Sequence, residues 1–549
     1  MRCARQGSEK HRSRRGNVLI LVLIAVLVIA QLFASALSQN MSARRFVEVR
    51  GQKMDMLYLA EGAREAAIAE LRQQMANLTI EMIIEKYPAV GDIVTTFQPS
   101  SSLPAGATAR SVFNELVAGD ELIADPDGLP VRVKTYLLTT TVTHPLAGVE
   151  PTIINQIVVR RLLAAFHHSV FYDDDLEILP GPNMTFKGRV HSNKDIYLGA
   201  NNTLRLDTEY LHTAGNIYDR RKDTGAQTAG DVEIRVKGTG TYVDMNGLDS
   251  SNVNWTTASQ TRWQGTVQTG VHGVTKIAAP EVGSIQPGGT FDADSTVHVV
   301  NGTIEKDGFT LVEGVHIPLG TVQTSIVYDK REKKNVTMTD IDLKKLAGYK
   351  EGDPDGTPSF SNQLPANGLV YATRTDAGAN MPGIRLKNGA RIDSSVGLTV
   401  VSNDPVYIQG DFNSVNHKPV AVVCDAVNIF SNAWDDSNSN KVIANRKATS
   451  TTVDCAFIAG IKTTTAGDYN GGMENYPRFH EDWGGKTLTY AGAFLALWNS
   501  QIAVGKWQDA SYSPPTRVWS YDESFLGAGG LPPFTPAVIE IRKGAWWQN

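Results

Sequence analysis

The sequence predicts an α+β protein that is mainly β, in which a long N-terminal transmembrane and amphipathic helix precedes a β-rich body. Three observations predict this class. An aliphatic run covers residues 18–37, a helical stripe of apolar residues continues to Leu78, and beyond residue 166 short apolar runs alternate with Gly, Asn and Asp. Because 549 residues exceed what one hydrophobic core usually organises, we expect several folded units.

The composition is that of an ordinary folded protein. The chain is 42% hydrophobic and 20% charged, with a net charge of -5 at pH 7. It lacks the surplus of Lys and Arg that nucleic-acid phosphates attract, so nucleic acid is not an expected partner. The 49 Gly and 24 Pro supply turns for many short strands, which favours a β-rich body.

The aliphatic run predicts a single membrane span. A segment rich in Lys and Arg precedes it, with Glu9 as its acid, and by the positive-inside rule this end stays in the cytoplasm. The run supplies about 20 residues, enough to cross roughly 30 Å of hydrocarbon as a helix. The alternative is a cleaved secretory signal, since Ala34-Ser35-Ala36 has the form of a signal-peptidase site.

The sequence after the run favours an anchor over a cleaved signal. Apolar residues recur at spacings of three and four, and they are Met56, Ala60, Ala63, Ala67, Leu71, Met75 and Leu78. No proline interrupts the pattern before Pro88. The spacing predicts one helix over residues 17–77, about 90 Å long at 1.5 Å per residue and interrupted at most near Gly51. A secretory signal needs no such continuation.

The N-terminal region also carries a family resemblance. The stretch RRGNVLILVLIAVLVIAQLFASALSQNMSARRFVEVRGQKMDMLYLAEGAREAAIAEL has a basic leader ending in Gly, then an aliphatic run, then a polar helix with the segment Ala60-Glu61-Gly62-Ala63. It resembles the N-terminus of PilX-type minor pilins and related secretion pseudopilins. Major pilins carry Glu five residues after the leader, where this chain has Leu21.

The resemblance implies an assembly role in a bacterial envelope. In the family a prepilin peptidase cuts after the leader Gly, which places the processed bond between Gly16 and Asn17. The implied location is the inner membrane, with a single span, a cytoplasmic N-terminus and a body in the periplasm or at the cell surface. Membrane lipid and other pilin or pseudopilin subunits are the implied partners of a type IV pilus or secretion system.

The predicted units follow one another along the chain. Two strands, 131–143 and 152–163, predict a small pilin-like α/β head. The full order is a basic cytoplasmic leader (1–16), a transmembrane helix (17–38), an amphipathic helix (39–87), the head (110–165), a β-rich domain (166–345) and a second β-rich, solenoid-like domain with an aromatic C-terminal cap (346–549). The run FHHSVFYDDDLEILPGPNMTFKGRVHSN resembles a domain of uncharacterised function found after PilX-like N-termini, which implies context and no activity.

Two architectures fit the β-rich body. The strand-like runs begin within about 7 to 14 residues of one another without an intervening helical period, which fits a β-helix-like coil or a β-sandwich. The Asn and Asp residues that follow such runs suit left-handed or tight corners, as a coil needs repeatedly, and they are Asn388, Asn403, Asp404, Asp411, Asn416 and Asn432. The aromatic residues after Tyr476 either stack on sugar rings or cover the end of the body.

The candidate metal and disulfide positions each have two interpretations. Asp436, Asn438 and Asn440 have the spacing of a calcium loop, but Lys441 stands where the turn Gly belongs, so a solvated acidic loop is the alternative. In an exported body Cys424 and Cys455 could form a disulfide, and the alternative is two buried free thiols. We predict no cofactor.

The sequence offers no convincing catalytic set. His480-Glu481-Asp482 places a base beside carboxylates, but neighbours on a strand point to opposite faces. Patterns for a serine nucleophile, a phosphate-binding loop or a dinucleotide site are absent from the sequence. We therefore predict a non-enzymatic, membrane-anchored envelope protein. The alternative is a membrane-tethered carbohydrate-active or glycan-binding β-helix protein, which a cluster of three carboxylates with an Arg in a surface groove would favour.

Overall fold

The computed structural model describes residues 15–76, 78–86, 92–93, 107–125, 129–143, 150–507, 511–527 and 529–549. One long helix begins the described chain and short helices follow it. They are α1 (Arg15–Met75), α2 (Ile80–Lys86), α3 (Trp255–Trp263), α4 (Thr290–Asp294) and α5 (Leu343–Leu346). α1 runs without a break through Gly51, and the predicted amphipathic segment ends earlier than expected, with α2 as a separate helix.

Strands make up most of the remaining chain. Those before residue 166 are β1 (Asp92–Ile93), β2 (Thr108–Glu115), β3 (Glu121–Ala124), β4 (Pro130–Thr143) and β5 (Thr152–Ala164). The next group is β6 (Val170–Tyr172), β7 (Leu176–Ile178), β8 (Met184–Lys187), β9 (Val190–Ser192), β10 (Ile196–Leu198), β11 (Thr203–Asp207), β12 (Leu211–Thr213), β13 (Ile217–Asp219), β14 (Asp231–Arg235), β15 (Tyr242–Asp244) and β16 (Val267–Gln268).

The remaining strands lie after residue 296. They are β17 (Val297–Val300), β18 (Thr303–Lys306), β19 (Phe309–Thr310), β20 (Val322–Asp329), β21 (Lys334–Asp342), β22 (Leu369–Thr373), β23 (Met381–Lys387), β24 (Leu398–Val401), β25 (Val406–Gln409), β26 (Val420–Cys424), β27 (Val427–Phe430), β28 (Thr451–Asp454), β29 (Ala456–Ile461), β30 (Arg478–Phe479), β31 (Thr487–Gly492), β32 (Phe494–Asn499), β33 (Thr516–Tyr521) and β34 (Ala537–Gln548).

An antiparallel sheet next to α1 forms a unit that we call the head. Its strand order is β1-β2-β4-β5-β34, with β3 also paired to β4. β4 and β5 lie within one residue of the predicted strands. β34 runs antiparallel to β5, with Val538 opposite Leu163. The head therefore includes a strand that lies far along the chain from the predicted segment 110–165.

The central strand β5 is covered on both faces. Val158 and Leu162 pack in one cluster with the second half of α1, whereas Leu163 packs in another cluster with residues of the later strands. A strand that is buried on both faces reads as a near-continuous apolar run, as IIxxIVVxxLLA does here. The head sheet therefore sits between α1 and the rest of the molecule.

Residues 166–535, which we call the body, are built largely from parallel ladders. Val170 on β6 pairs with Val190 on β9, which pairs with Leu211 on β12. β7, β10 and β13 repeat the arrangement, as do β8, β11 and β14. Two of the six predicted corner residues, Asn388 and Asn416, have a φ of 54°, in the left-handed region. The other four, Asn403, Asp404, Asp411 and Asn432, do not have a positive φ.

The strands of this body form two runs, one within residues 170–268 and one within residues 297–521. The two runs of the body meet in the middle of one large sheet. Its order is β16-β12-β9-β6-β32-β29-β26-β24-β22-β17-β18-β19, and Phe494 of β32 pairs in parallel with Val170 of β6. One apolar core runs through both parts. Phe479, Trp483 and Tyr490 belong to this core, so these aromatic side chains are buried in the body. The aromatic cap stays a prediction.

Candidate functional site

The two halves of α1 differ sharply in exposure. Apolar side chains between residues 18 and 54 are exposed, with Leu21 at 66% and Leu27 at 55%. From residue 56 onward one stripe is buried, comprising Met56, Leu59, Ala60, Ala63, Ala67, Ile68, Leu71 and Met75. The stripe contains six of the seven residues that the helical periodicity selects. The seventh, Leu78, is half-buried and lies beyond the end of α1.

The buried half of α1 lies along the head sheet. Ala67, Leu71 and Met75 pack with Phe113 and other residues of β2, β4, β5 and β34. Further toward the N-terminus, Met56, Leu59 and Ala60 pack with Val142 and Ile154. Because each fully buried Leu or Met side chain contributes about 1.5 to 3 kcal/mol, this contact fixes the helix firmly to the sheet.

The exposed half has the properties of a membrane span. Among the described residues, α1 is long and apolar enough to cross a bilayer, and none of its most apolar window is buried within the molecule. The predicted cleavage residues Gly16 and Asn17 lie in the first turn of this helix. Leu21, which stands where major pilins have Glu, lies one turn further on the exposed half.

A small polar pocket lies where the two runs of the body meet. It is lined by Asp175 and Glu177 near β7 and by residues of the segment 460–478, with Lys222 and Arg331 at its edges. Glu474 lies against it, and its Oε2 accepts a hydrogen bond from the backbone N–H of Leu179 at 3.1 Å. The carboxyl groups of Asp175 and Glu177 therefore line the pocket, and that of Glu474 is buried close to Glu177.

Burial perturbs two of these carboxyl groups. Burial raises the pKa of Glu474 to about 7, and it also raises the pKa of Glu177. The Oε1 of Glu474 accepts a hydrogen bond from the Tyr469 hydroxyl at 3.2 Å, and Asp175 forms an ion pair with Lys222 at 2.7 Å. The pocket can therefore hold a proton near neutral pH, as a general acid would.

The size of the pocket limits what it can bind. Its volume is about 40 Å³. Since one water needs roughly 10 to 15 Å³ by this measure, the pocket accommodates two or three waters and is too small for a sugar ring. Sequence reasoning does not pair Glu177 with Glu474, because no local pattern connects groups so far apart in the chain.

The structure surrounds the three calcium candidates with cations. Asp436 accepts a hydrogen bond at 2.6 Å from Arg385, whose Nε also donates to Asp340 at 2.8 Å. The side-chain oxygen of Asn438 accepts from Lys441 at 2.6 Å, and that of Asn440 accepts from Lys330 at 2.7 Å. The oxygens that a calcium ion would need already have donors. The calcium site stays a prediction.

The two body cysteines are buried free thiols in this structure. The parallel register sets Cys424 opposite Ala459, whereas Cys455 precedes the strand that contains Ala459. Burial raises the pKa of both thiols well above its ordinary value, so they behave as small apolar residues. Of the two sequence-based alternatives, the structure contains the free thiols.

The motif His480-Glu481-Asp482 does not converge on one site. The Nε2 of His480 lies 2.9 Å from Oδ1 of Asn428, while Glu481 accepts hydrogen bonds from the backbone and hydroxyl of Ser431. Asp482 pairs with a different, exposed side chain, Lys447. Burial lowers the pKa of His480 to about 4 and raises that of Glu481 to about 7.

Comparisons with known proteins identify no relative of this chain. No family model matches it, and neither the curated proteins nor the solved structures contain a match.

Proposed function

We propose that this chain is a non-enzymatic, membrane-anchored envelope protein that resembles a type IV pilus minor pilin or pilus-assembly component. One observation supports the proposal most directly. A single helix has an exposed apolar first half and a second half packed along an antiparallel sheet. This division suits a subunit whose head stays folded while its helix moves from one apolar environment to another.

The proposed mechanism uses the exposed half of α1 twice. Its apolar side chains first contact lipid in the inner membrane, with the N-terminus in the cytoplasm. They then contact the helices of neighbouring pilin or pseudopilin subunits in a filament core. Both environments exclude water, so a helix that satisfies its own backbone hydrogen bonds is stable in each.

In this proposal the body is a β-helix-like coil displayed in the periplasm or at the cell surface. The parallel register of β6, β9 and β12 supports a coil, because a sandwich is usually built from antiparallel neighbours. The body enters and leaves through neighbouring strands of the head, β5 and β34. Display of the body therefore leaves the contact between α1 and the head sheet intact.

Mass spectrometry of the mature N-terminus tests the proposal. The full chain is expressed with and without a prepilin peptidase. We expect a start at Asn17 with the peptidase only, because Gly16 ends the basic leader. Gly16→Val should abolish this processing. Gly51→Val is the matched control and should be processed normally, since the space beside Gly51 is open.

Two results would contradict the filament proposal. A start at Leu37 shows ordinary secretion with loss of the membrane segment. An intact leader in the presence of active peptidase shows a plain anchor that is never made available for assembly.

The carbohydrate-active alternative has one observation in its favour. Asp175, Glu177 and Arg331 line one pocket of the body, and Glu474 is buried close to Glu177, which meets part of what that alternative requires. We expect Glu474→Gln to leave binding of pectic and peptidoglycan-derived oligosaccharides unchanged, because the pocket has no room for a sugar. Loss of glycan turnover in this variant, with Asp482→Asn as the control, would favour the alternative.

A further inference from the structure

A second, larger cavity lies between the head and the body, on the face of the head sheet opposite α1. We call it the head–body groove, and its volume is about 270 Å³. The groove is lined from the head by β5 and β34 and from the body by the residues at the starts of β9 and β12. Its main polar side chains are Arg161, Arg542, Arg189, Tyr210, His212 and Lys237.

The groove carries a surplus of positive charge. Four cationic side chains line it, together with two carboxylates, Asp125 and Glu540. Oδ2 of Asp125 lies 3.5 Å from Arg189 and 3.9 Å from Arg161. Glu540 pairs with Arg161 and also with Arg542. Because each carboxylate lies between two arginines, the cationic charge of the groove exceeds what its acids neutralise.

An aromatic stack orients one of the arginines. The guanidinium carbon of Arg189 lies 3.6 Å from the centroid of the Tyr210 ring. The centroid of the His212 ring also lies 3.6 Å from the centroid of the Tyr210 ring. Stacking holds the planar guanidinium in one orientation, so its N–H groups are arranged before a ligand arrives.

Four imidazoles line the same groove, and those of His168, His191 and His212 lie on adjacent segments of the body. His191 and His212 are register partners on β9 and β12, and the ring of His168 lies 6.0 Å from that of His191. His168 and His191 are at most 1% exposed. Among the described residues, Nδ1 of His191, Nε2 of His212 and both ring nitrogens of His168 lack a hydrogen-bond partner of normal geometry.

The imidazoles of His168, His191 and His212 are neutral at neutral pH. Burial lowers the pKa of His191 to about 4, and the charge of Arg189 acts in the same direction. Burial lowers the pKa of His168 and His212 well below the ordinary value. Nε2 of His191 lies 3.1 Å from Oδ1 of Asn193, and because an amide oxygen only accepts, the one N–H of this neutral ring points there. Nδ1 of His191 is therefore an acceptor, which suits a protonated oxygen of a ligand. The described residues contain no group of three His, Cys, Asp or Glu side chains placed to hold a metal ion.

We propose that the head–body groove binds a small polyvalent oxyanion of the phosphate class. Arg189 and Lys237 of the body and Arg161 of the head supply charge and hydrogen-bond donors, and Nδ1 of His191 accepts from a protonated oxygen of the anion. Charge-assisted hydrogen bonds from a planar guanidinium match the geometry of phosphate oxygens. Because the cations belong to both units, the bound anion joins the head to the body. This site does not depend on the proposed filament role.

Isothermal titration of the full chain in neutral detergent with inorganic phosphate tests the site. We expect saturable binding by the natural chain. Lys237→Gln should weaken binding at least roughly tenfold, because it removes one charge-assisted contact. Lys187→Gln is the matched control, since this side chain is 60% exposed on β8 and does not line the groove. It should bind phosphate as the natural chain does.

Three outcomes would overturn the proposal. They are the absence of saturable binding, an equal loss in both lysine variants, and equally strong binding of acetate. Should Lys237→Gln fail to fold, His212→Phe replaces it, because it retains an aromatic ring beside Tyr210 and removes the ring nitrogens of His212 from the groove. Phosphatidylglycerol vesicles in phosphate-free buffer form a second arm. Because α1 enters any vesicle, uncharged phosphatidylcholine vesicles are the reference for this arm. Phosphate binding with no preference for phosphatidylglycerol indicates a soluble ligand, whereas phosphate binding together with a preference that Lys237→Gln abolishes indicates a lipid headgroup.

Discussion

The two halves of α1 share one helix and have opposite environments. Leu27 in the first half is 55% exposed, whereas Leu71 in the second half is fully buried against the head sheet. The first half contains the aliphatic run of residues 18–37, and the second half has a polar face and an apolar stripe. One continuous helix can therefore suit an apolar environment such as lipid at one end and the surface of a sheet at the other. Its sequence must then change from an aliphatic run to a periodic apolar pattern.

Of the changes considered for α1 and its sheet, removal of β34 should reduce the stability of the head most. The strand buries Ala537, Val538 and Ile539 completely. A chain truncated after Thr535 loses apolar contacts of the order of 5 kcal/mol, and the second half of α1 loses part of its sheet. We expect limited proteolysis to cut within the head while the core of the body stays resistant.

A shorter truncation provides the control for this experiment. A chain ending at Lys543 retains the buried pairs of β34 with β5 and loses only its exposed end. It should resist proteolysis as the full chain does. An unchanged cleavage pattern after truncation at Thr535 would show that the head folds without β34.

Matched Leu→Ala substitutions in the two halves of α1 should differ in their effect on the free energy of unfolding. Leu71→Ala creates a cavity between α1 and the sheet and should lower the free energy of unfolding by about 2 to 5 kcal/mol. Leu27→Ala makes no such cavity and should change it by less than about 0.5 kcal/mol. Denaturant titration in mild detergent measures both, and equal losses in the two variants would refute the division of the helix.

A charge in the first half should affect insertion and spare the fold. Leu27→Arg costs about 2.5 to 3.5 kcal/mol near the centre of a span, so we expect a reduced membrane-bound fraction after alkaline extraction. Asn40→Arg, beyond the apolar run, should remain membrane-bound. Full retention of Leu27→Arg would be inconsistent with a span centred on this residue.

Removal of a surface ion pair on the second half of α1 should have the smallest effect on stability. Lys543 of β34 pairs with Glu65 of α1 at 2.9 Å, and both are about half exposed, so Lys543→Ala should cost at most about 1 kcal/mol. Burial raises the pKa of Glu65, but hydrogen bonds from Lys543 and Arg64 outweigh it and the pKa lies below its ordinary value.

The pH dependence of this pair follows from that direction. A lowered carboxyl pKa stabilises the fold above the unfolded-state value and loses this contribution as the pH falls through the folded-state value. The stability difference between the natural chain and Lys543→Ala should therefore be present at pH 7 and vanish in acid. A difference that persists below pH 3 would indicate lost packing of the lysine stem.

Local periodicity made the helix and the two long head strands predictable. β4 and β5 are 14 and 13 residues long, and their apolar patterns are visible without knowledge of any partner. β34 reads as a strand as well, but nothing in its own residues indicates that it pairs with β5. Partners that lie far apart in the chain leave no local pattern.

The body and its cavities were less predictable for related reasons. Val170, Val190 and Leu211 are evenly spaced, but the next partner in that ladder is Val267, so insertions obscure the repeat. His191 and His212 occupy the same place in the short runs VHS and LHT, which is the signal that could have linked them. Glu474 has no comparable signal, because only the meeting of β6 with β32 brings its segment near Glu177.

The position of β34 also determines how the molecule folds. Arg161 and Glu540, which pair across β5 and β34, are 379 residues apart, whereas the ladders of β6, β9 and β12 join neighbours in the chain. Short loops close with a smaller entropy cost than long ones. We therefore expect the body to form first and to bring Ala165 and Pro536 together, so that closure of the head is the last and slowest step.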